Sequence, residues 1–156
     1  MDLLTTLELA IAGFLIGANV WFFFLQSPSL ILFMGRDKFI PIQMRLTKLL
    51  FRTQSVAAIL LFLLTWQFGG TVALQGAGLA AAAALIANFV VIPKALKAGG
   101  KGRVETMDEG GDKSVTKFAS EGSGPSATFW HRTVVLFVVL ILLGALVTLY
   151  GAVQAG

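Results

Sequence analysis

The sequence contains no cysteine and only one histidine among its 156 residues. The absence of cysteine excludes disulfides, thiolate zinc sites, iron–sulfur ligation and cysteine nucleophiles. A single histidine excludes a haem or metal cage that uses several histidines of this chain. No phosphate-binding loop, nucleophile triad or metal-ligand cluster appears either. We therefore predict that the protein is not an enzyme and has no catalytic residue, cofactor or metal site.

Charge is also scarce, and hydrophobic residues are abundant. Only 13% of the residues are charged, 56% are hydrophobic, and the mean hydropathy is +0.84. A soluble domain of this length could not hide so much apolar surface from water. The composition therefore predicts an integral membrane protein.

Four apolar segments are long enough to cross a bilayer as helices, which takes about 20 residues each. They cover approximately residues 3–25, 49–68, 72–95 and 129–153. The third is rich in glycine and alanine, which allow close helix packing in a membrane, so we expect it at the centre. The predicted fold is all-α: a single domain, 1–156, that forms a four-helix transmembrane bundle.

All 12 lysines and arginines lie between the first and second spans, between the third and fourth, or within the last four residues of the span ends that face these two regions. With four spans, both basic regions share one side, which the positive-inside rule places in the cytoplasm or the mitochondrial matrix. We predict the mitochondrial inner membrane, with both termini on the non-matrix side. This topology explains the basic residues without nucleic acid, and we expect them to meet phospholipids, including anionic ones such as cardiolipin. The predicted lipid or interface residues are Arg36, Lys38, Arg45, Lys48, Arg52, His131 and Arg132.

The stretch FFFLQSPSLILFMGRDKFIPIQMRL, residues 22–46, follows the first span. Pro28 removes a backbone donor, so we expect the first helix to end or kink near Ser27. Beyond it, Phe39, Ile42 and Leu46 recur at helical spacing between basic residues. This pattern predicts an amphipathic elbow helix between spans one and two, which lies in the interface or extends the second span inward.

A polar, glycine-rich loop is expected over residues 99–128. Its mixed charge and low apolar content are typical of a flexible segment that cannot form a domain of its own. A partner protein is the simplest candidate to order it.

Few polar side chains fall inside the predicted spans. Asn19 and Asn88 could bond across helices if spans one and three pack together, or could line a substrate site. Glu8 is costly to bury, so it is either a functional residue or is solvated at the outer interface. The predicted interhelical polar residues are Glu8, Asn19 and Asn88. His131 opens the fourth span, where a structural role competes with a headgroup, haem or proton contact.

Three short motifs give a resemblance to a known family. The stretch QSPSLILFMGRDKFIPIQMRL with Pro28, Phe39 and Gln43 resembles the first-loop signature of the transmembrane protein 205-like proteins. NFVVIPKA with Asn88 is similar to their third-span ending, and FWHR with His131 resembles the start of their fourth span. The resemblance implies a small four-span membrane protein linked to trafficking or efflux, with no established reaction.

Two functional hypotheses follow. The first is a non-catalytic accessory subunit of a larger membrane complex, such as a respiratory-chain complex, with other membrane subunits as partners. The second is a small transporter or ligand-binding membrane protein that uses Asn19, Asn88 and Glu8 around a pathway. A third, an enzyme that acts on a lipid or quinone through His131, has the weakest sequence basis. The first two differ in whether the polar residues cross-link helices or line a cavity.

Overall fold

The computed structural model describes residues 3–100 and 125–155, and within them every regular element is helical. The six α-helices are α1 (Leu3–Val20), α2 (Ser27–Met34), α3 (Arg36–Phe68), α4 (Thr71–Ile86), α5 (Ile92–Gly100) and α6 (Pro125–Ala155). A π-helical segment, Trp21–Gln26, joins α1 to α2, and a second, Ala87–Val91, joins α4 to α5.

Four helical stretches are long and apolar enough to cross a membrane: Leu3–Met34, Arg45–Phe68, Thr71–Lys97 and Phe129–Gln154. The all-helical fold with four such helices is confirmed. The third stretch carries most of the buried small residues, since seven residues of α4 are buried glycines or alanines.

The first span continues beyond Pro28, where the sequence suggested an end or a kink. The backbone N–H of Ser27 donates to Phe22 O, five residues back, as in a π-helix. This wider turn lets the chain accommodate a proline, which has no N–H and would clash with the carbonyl four residues before it. The helix therefore ends at Met34, nine residues after the predicted boundary at 25.

A sharp turn at Gly35 separates the first span from α3. Its φ of 73° lies in the left-handed region, where glycine is favoured because it has no Cβ. The stretch predicted as an elbow helix forms the first turns of α3, which is one continuous helix of 33 residues. A separate interfacial elbow helix is thus not confirmed. The polar loop predicted over 99–128 lies largely outside the described residues; its ends belong to α5 and α6.

The described helices repeat one another in pairs. Both π-helical segments end two positions before a proline, Pro28 or Pro93, which are 65 positions apart. Shifting α1 by the same 65 positions onto the third span matches every buried residue with another buried residue. Glu8, Ala12, Leu15, Asn19 and Phe22 correspond to Ala73, Ala77, Ala80, Ala84 and Ala87.

Helices α3 and α6 correspond in the same way, with an offset of 80 positions that aligns Arg52-Thr53 with Arg132-Thr133. The buried residues Gln54, Ala58, Leu61 and Thr65 then match the buried residues Val134, Val138, Ile141 and Ala145, whereas the buried Phe51 and Ser55 match the exposed His131 and Val135. The two helix pairs therefore share much of one burial pattern, and we call the pair of span one with α3 and the pair of the third span with α6 the two copies. In each copy the first helix packs against the second, and α1 also packs on α6 as α4 packs on α3.

The two copies differ in their internal contacts. We call the contact between span one and α3 the first seam, and that between α4 and α6 the second seam. In the second seam a Cβ added at Gly144 would lie 2.6 Å from Ala80 N, and one at Gly76 would lie 2.5 Å from Thr148 N. The backbones of α4 and α6 therefore touch, whereas Gly13 and Gly17 of α1 have no other atom within 4 Å of such a Cβ.

Candidate functional site: a cavity at the basic end

A cavity of about 540 Å³ lies at the end of the bundle that carries the basic residues. Span one contributes Phe23, Ser27 and Ile31 to its wall, and α3 contributes Phe39, Gln43 and Thr47. The remaining wall comes from the second copy, through Ile92, Ala95 and Leu96 of α5 and Trp130, His131, Val134 and Val135 of α6. The cavity therefore lies between the two copies, and most of its lining side chains are apolar.

The π-helical turn positions one polar group in this wall. Ser27 Oγ donates to Phe22 O at 2.7 Å, and Gln43 Nε2 donates to Ser27 Oγ at 2.7 Å. Because the only hydroxyl proton of Ser27 is used by Phe22, Ser27 can offer Gln43 only an acceptor. This fixes the orientation of the Gln43 amide, with the nitrogen towards Ser27. Gln43 Oε1 is buried and has no hydrogen-bond partner among the described residues.

His131 lines the same cavity at the start of the fourth span, and its side chain is exposed. Thr47 lies one helical turn after Gln43 and is half-buried. The cavity therefore brings His131 together with Phe39 and Gln43. These are three of the residues on which the family resemblance rests, and they are far apart in sequence.

Basic side chains lie at this end of the bundle without lining the cavity, and we call them the rim. Arg45, Lys48, Arg52, Lys94, Lys97 and Arg132 are all exposed. Lys94 Nζ lies 5.5 Å from the centre of the Trp130 ring, a cation–π distance that ties α5 to the start of α6. Arg36 and Lys38 lie in the first turn of α3, at the same end. Among the side chains that the structure describes, the only acidic one is Glu8, near the opposite end of span one.

The predicted interhelical residues lie elsewhere in the bundle. Asn19 is fully buried, but its Nδ2 donates to Leu15 O of its own helix at 2.8 Å and its Oδ1 has no partner. Asn88 is half-buried in the second π-helical segment. Glu8 is 6% exposed and its Oε1 has no partner among the described residues. An interhelical role for these three residues stays a prediction.

Other hydroxyl residues bond across the helices. Ser55 Oγ contacts Ala84 O at 3.1 Å, and Thr148 Oγ1 contacts Ala73 O at 3.3 Å. Sequence reasoning did not identify either residue. The available signal was their helical spacing, since Ser55 lies four residues after Phe51, and Thr148 four after Gly144, on the buried faces of α3 and α6.

Within the described ranges, no group of three or more histidine, cysteine, aspartate or glutamate side chains could hold a metal ion. The arrangement can bind an apolar body through its walls, a polar group through Gln43, Thr47 and His131, and negative charge through its rim. A comparison of the chain with models of known families, with curated proteins and with solved structures finds no match. The resemblance to the transmembrane protein 205-like proteins thus stays a prediction.

Proposed function

We propose that this protein binds an anionic single-chain amphiphile, such as a fatty acid, in the cavity at the basic end of the bundle. This proposal keeps the ligand-binding class of the second hypothesis but moves the site, because Asn19, Asn88 and Glu8 do not line the cavity. The observation that carries it is the position of Gln43 and His131 in the wall of an apolar cavity with a basic rim.

The size and lining of the cavity support one small ligand. Its volume of about 540 Å³ lies within the range of roughly 300–1,000 Å³ found for small-molecule sites. Ligand sites in proteins are mostly apolar and contain a few polar groups that orient the ligand. Phe23, Ile31 and Val134 suit an aliphatic chain, whereas Gln43 and Thr47 suit a polar head.

The charge of the rim supports an anionic head group. Six exposed basic side chains lie at this end, and no acidic side chain is described there. An excess of positive charge raises the local concentration of anions, and the effect weakens as salt screens it. A carboxylate at the rim would meet this positive charge while its chain lies in the cavity.

The test uses two valines of α6. Val135 lines the cavity and Val139, one turn later, does not, yet both are 43% exposed. The purified chain is placed in nanodiscs of zwitterionic lipid and titrated with a fluorescent fatty acid. Val135→Trp should weaken binding by about tenfold, roughly 1.4 kcal/mol, because the indole occupies the cavity. Val139→Trp should bind as the wild type does. Equal affinities for both variants, or no saturable binding by the wild type, would refute the proposal.

We propose that the basic end faces the cytoplasm or the mitochondrial matrix, with both termini on the opposite side. The support is the positive-inside rule applied to the exposed lysines and arginines. Because the chain has no cysteine, single cysteines report cleanly on each side. In mitoplasts, Gln154→Cys should react with an impermeant maleimide before lysis and Lys97→Cys only after it. The reverse order would invert the topology, and absence of the chain from mitochondria would exclude the inner membrane.

The accessory-subunit hypothesis is the second candidate. Its support is α2, which has no buried residue and exposes Leu32 and Phe33 by 82% and 83%. A neighbouring subunit or lipid would cover this surface in a membrane. Gentle native purification should then recover the chain in a stoichiometric complex, and Phe33→Glu should release it. Recovery as a lone chain or a homo-oligomer would exclude this hypothesis and leave the amphiphile proposal intact.

A further inference from the structure

A stripe of polar side chains runs along one face of α3. Gln43, Gln54 and Thr65 are spaced by 11 residues, which is close to three full helical turns and places them on the same face. The bond from Gln43 to Ser27 shows that this face points towards span one. The stripe therefore meets span one at Gln43, and from the cavity it leads into the interior of the bundle.

Gln54 is the least satisfied side chain in this stripe. It is fully buried, and neither its Oε1 nor its Nε2 has a hydrogen-bond partner among the described residues. Thr65, by contrast, donates to Leu61 O at 2.7 Å. Burying an amide without a hydrogen-bond partner in an apolar medium is unfavourable, because the amide loses its hydrogen bonds to water. A bound molecule that both donates and accepts hydrogen bonds would satisfy the Gln54 amide.

Asn19 supplies a second unsatisfied group from span one. Measured along the helices at about 1.5 Å per residue, Asn19 lies roughly 12 Å from the Ser27–Gln43 bond and Gln54 roughly 16 Å. Asn19 and Gln54 lie on the same side of that bond because Asn19 precedes Ser27, Gln54 follows Gln43, and the two helices are antiparallel. The two amides therefore lie at similar depth. Because Asn19 Oδ1 and both polar atoms of the Gln54 amide lack hydrogen-bond partners, the pair presents two acceptors and one donor group without partners.

We propose that Asn19 and Gln54 form an interior water-binding site in the first seam, beneath the cavity. Water donates two hydrogen bonds and accepts others, so it can bridge both amide oxygens and accept from Gln54 Nε2. A metal cation would suit the oxygens but would be repelled by the amide N–H₂ group. The site does not depend on the ligand of the cavity.

The second copy of the helix pair lacks this site. The positions equivalent to Asn19 and Gln54 are Ala84 and Val134, both buried and apolar. The second copy therefore serves as a comparison without a water site. Replacing each polar residue by its equivalent there, in Asn19→Ala and Gln54→Val, should remove the water.

Radiolytic hydroxyl labelling with mass analysis tests the proposal, because radicals form at bound water. Phe51 and Leu61 of α3 are both fully buried, but Phe51 lies one turn from Gln54 and Leu61 two turns beyond it. Labelling rates are normalised to those of the unfolded chain, without added amphiphile. We expect Phe51 to be labelled several-fold faster than Leu61. Equal protection of the two residues in the wild type would overturn the proposal, and this readout needs no variant to fold.

A variant series sharpens the result. Gln54→Val should reduce labelling of Phe51 to the level of Leu61. Thr65→Ala, which introduces the residue found at the equivalent position 145, should leave it unchanged. Labelling of Phe51 that persists in Gln54→Val would contradict the assignment. A second result would also contradict it. If the effects of Asn19→Ala and Gln54→Val on the free energy of unfolding are not additive while Phe51 stays protected from labelling in every variant, the two amides bond directly to each other without water.

Discussion

The two seams of this protein have the same helical design and opposite chemistry. In the second seam, glycines and alanines bring α4 and α6 into backbone contact. In the first seam, the equivalent positions carry Glu8, Leu15, Asn19 and Phe22, which separate the helices and bring polar atoms inside. Close packing in a membrane comes from small residues, whereas polar residues mark functional positions. The comparison indicates that the second copy holds the closer helix contact, whereas the first carries the buried polar side chains.

Each copy contains a proline after a π-helical segment, but the residue before the proline differs between the copies. Pro28 and Pro93 each follow a π-helical segment; the first segment lines the cavity through Phe23, and the second ends one residue before Ile92, which lines it. Only the first has a serine before the proline, and this serine orients Gln43. The equivalent residue in the second copy is Ile92, which contributes an apolar wall.

The largest effect is expected in the second seam. A Cβ introduced by Gly144→Ala would lie 2.6 Å from Ala80 N and 2.7 Å from Gly76 O, so the two backbones must separate. We expect a loss of about 3 kcal/mol in the free energy of unfolding, measured by denaturation in mixed micelles.

Gly17→Ala is the matched control in the first seam's helix α1. Nothing lies within 4 Å of the added Cβ, so we expect the stability to stay the same or to rise slightly. Gly17 is exposed and contacts no other helix, so a loss as large as that of Gly144→Ala would show that the effect of Gly144→Ala does not come from the contact between α4 and α6.

A medium effect is expected from Ser27→Ala in the first seam. The substitution removes the acceptor for Gln43 Nε2 and leaves the amide without any partner, which should cost about 1–2 kcal/mol of stability. The amphiphile affinity measured in nanodiscs should fall together with it. Ser29→Ala removes an exposed hydroxyl that bonds only to Leu25 O in its own helix, and it should change neither quantity. A Ser27→Ala variant with normal stability and affinity would show that Gln43 needs no orientation by Ser27.

The smallest effect is expected from Thr148→Val, again in the second seam. Its Oγ1 reaches Ala73 O at 3.3 Å and Gly144 O at 2.8 Å, and bonds between membrane helices average only about 0.6 kcal/mol. We expect a loss of that order in the same unfolding assay, because backbone proximity holds this seam together. Thr133→Val serves as the control, since its hydroxyl bonds within its own helix only and is near the surface. A loss in Thr148→Val comparable to that of Gly144→Ala would assign the seam's stability to the hydroxyl instead.

The sequence predicts the four spans well because twenty apolar residues in a row leave no soluble alternative. It misplaces the end of the first span because Pro28 is accommodated by a π-helical turn, which depends on backbone hydrogen bonds that no hydropathy pattern encodes. His131 and Gln43 are recognisable as polar residues near the membrane. Their convergence on one cavity depends on how span one and α6 pack, which the sequence pattern does not reveal.

The composition of the sequence also does not reveal the correspondence between the two helix pairs. Few residues are identical between the copies, and the correspondence appears in burial, as with Asn19 and Ala84, or Gln54 and Val134. Replacing one buried residue by another of different polarity preserves the helix and changes the chemistry. For this reason the fold can be predicted from apolar periodicity, whereas the site requires knowledge of which faces meet.

Photo-cross-linking tests the central claim most directly. A diazirine-bearing fatty acid is added to the wild-type protein in nanodiscs, and the cross-linked residues are mapped by mass spectrometry. The account predicts cross-links at Ile31, Val135 and Leu96, which line the cavity, and their loss when unlabelled fatty acid competes. Cross-links spread over outward residues such as Leu63 and Leu146, without competition, would contradict it.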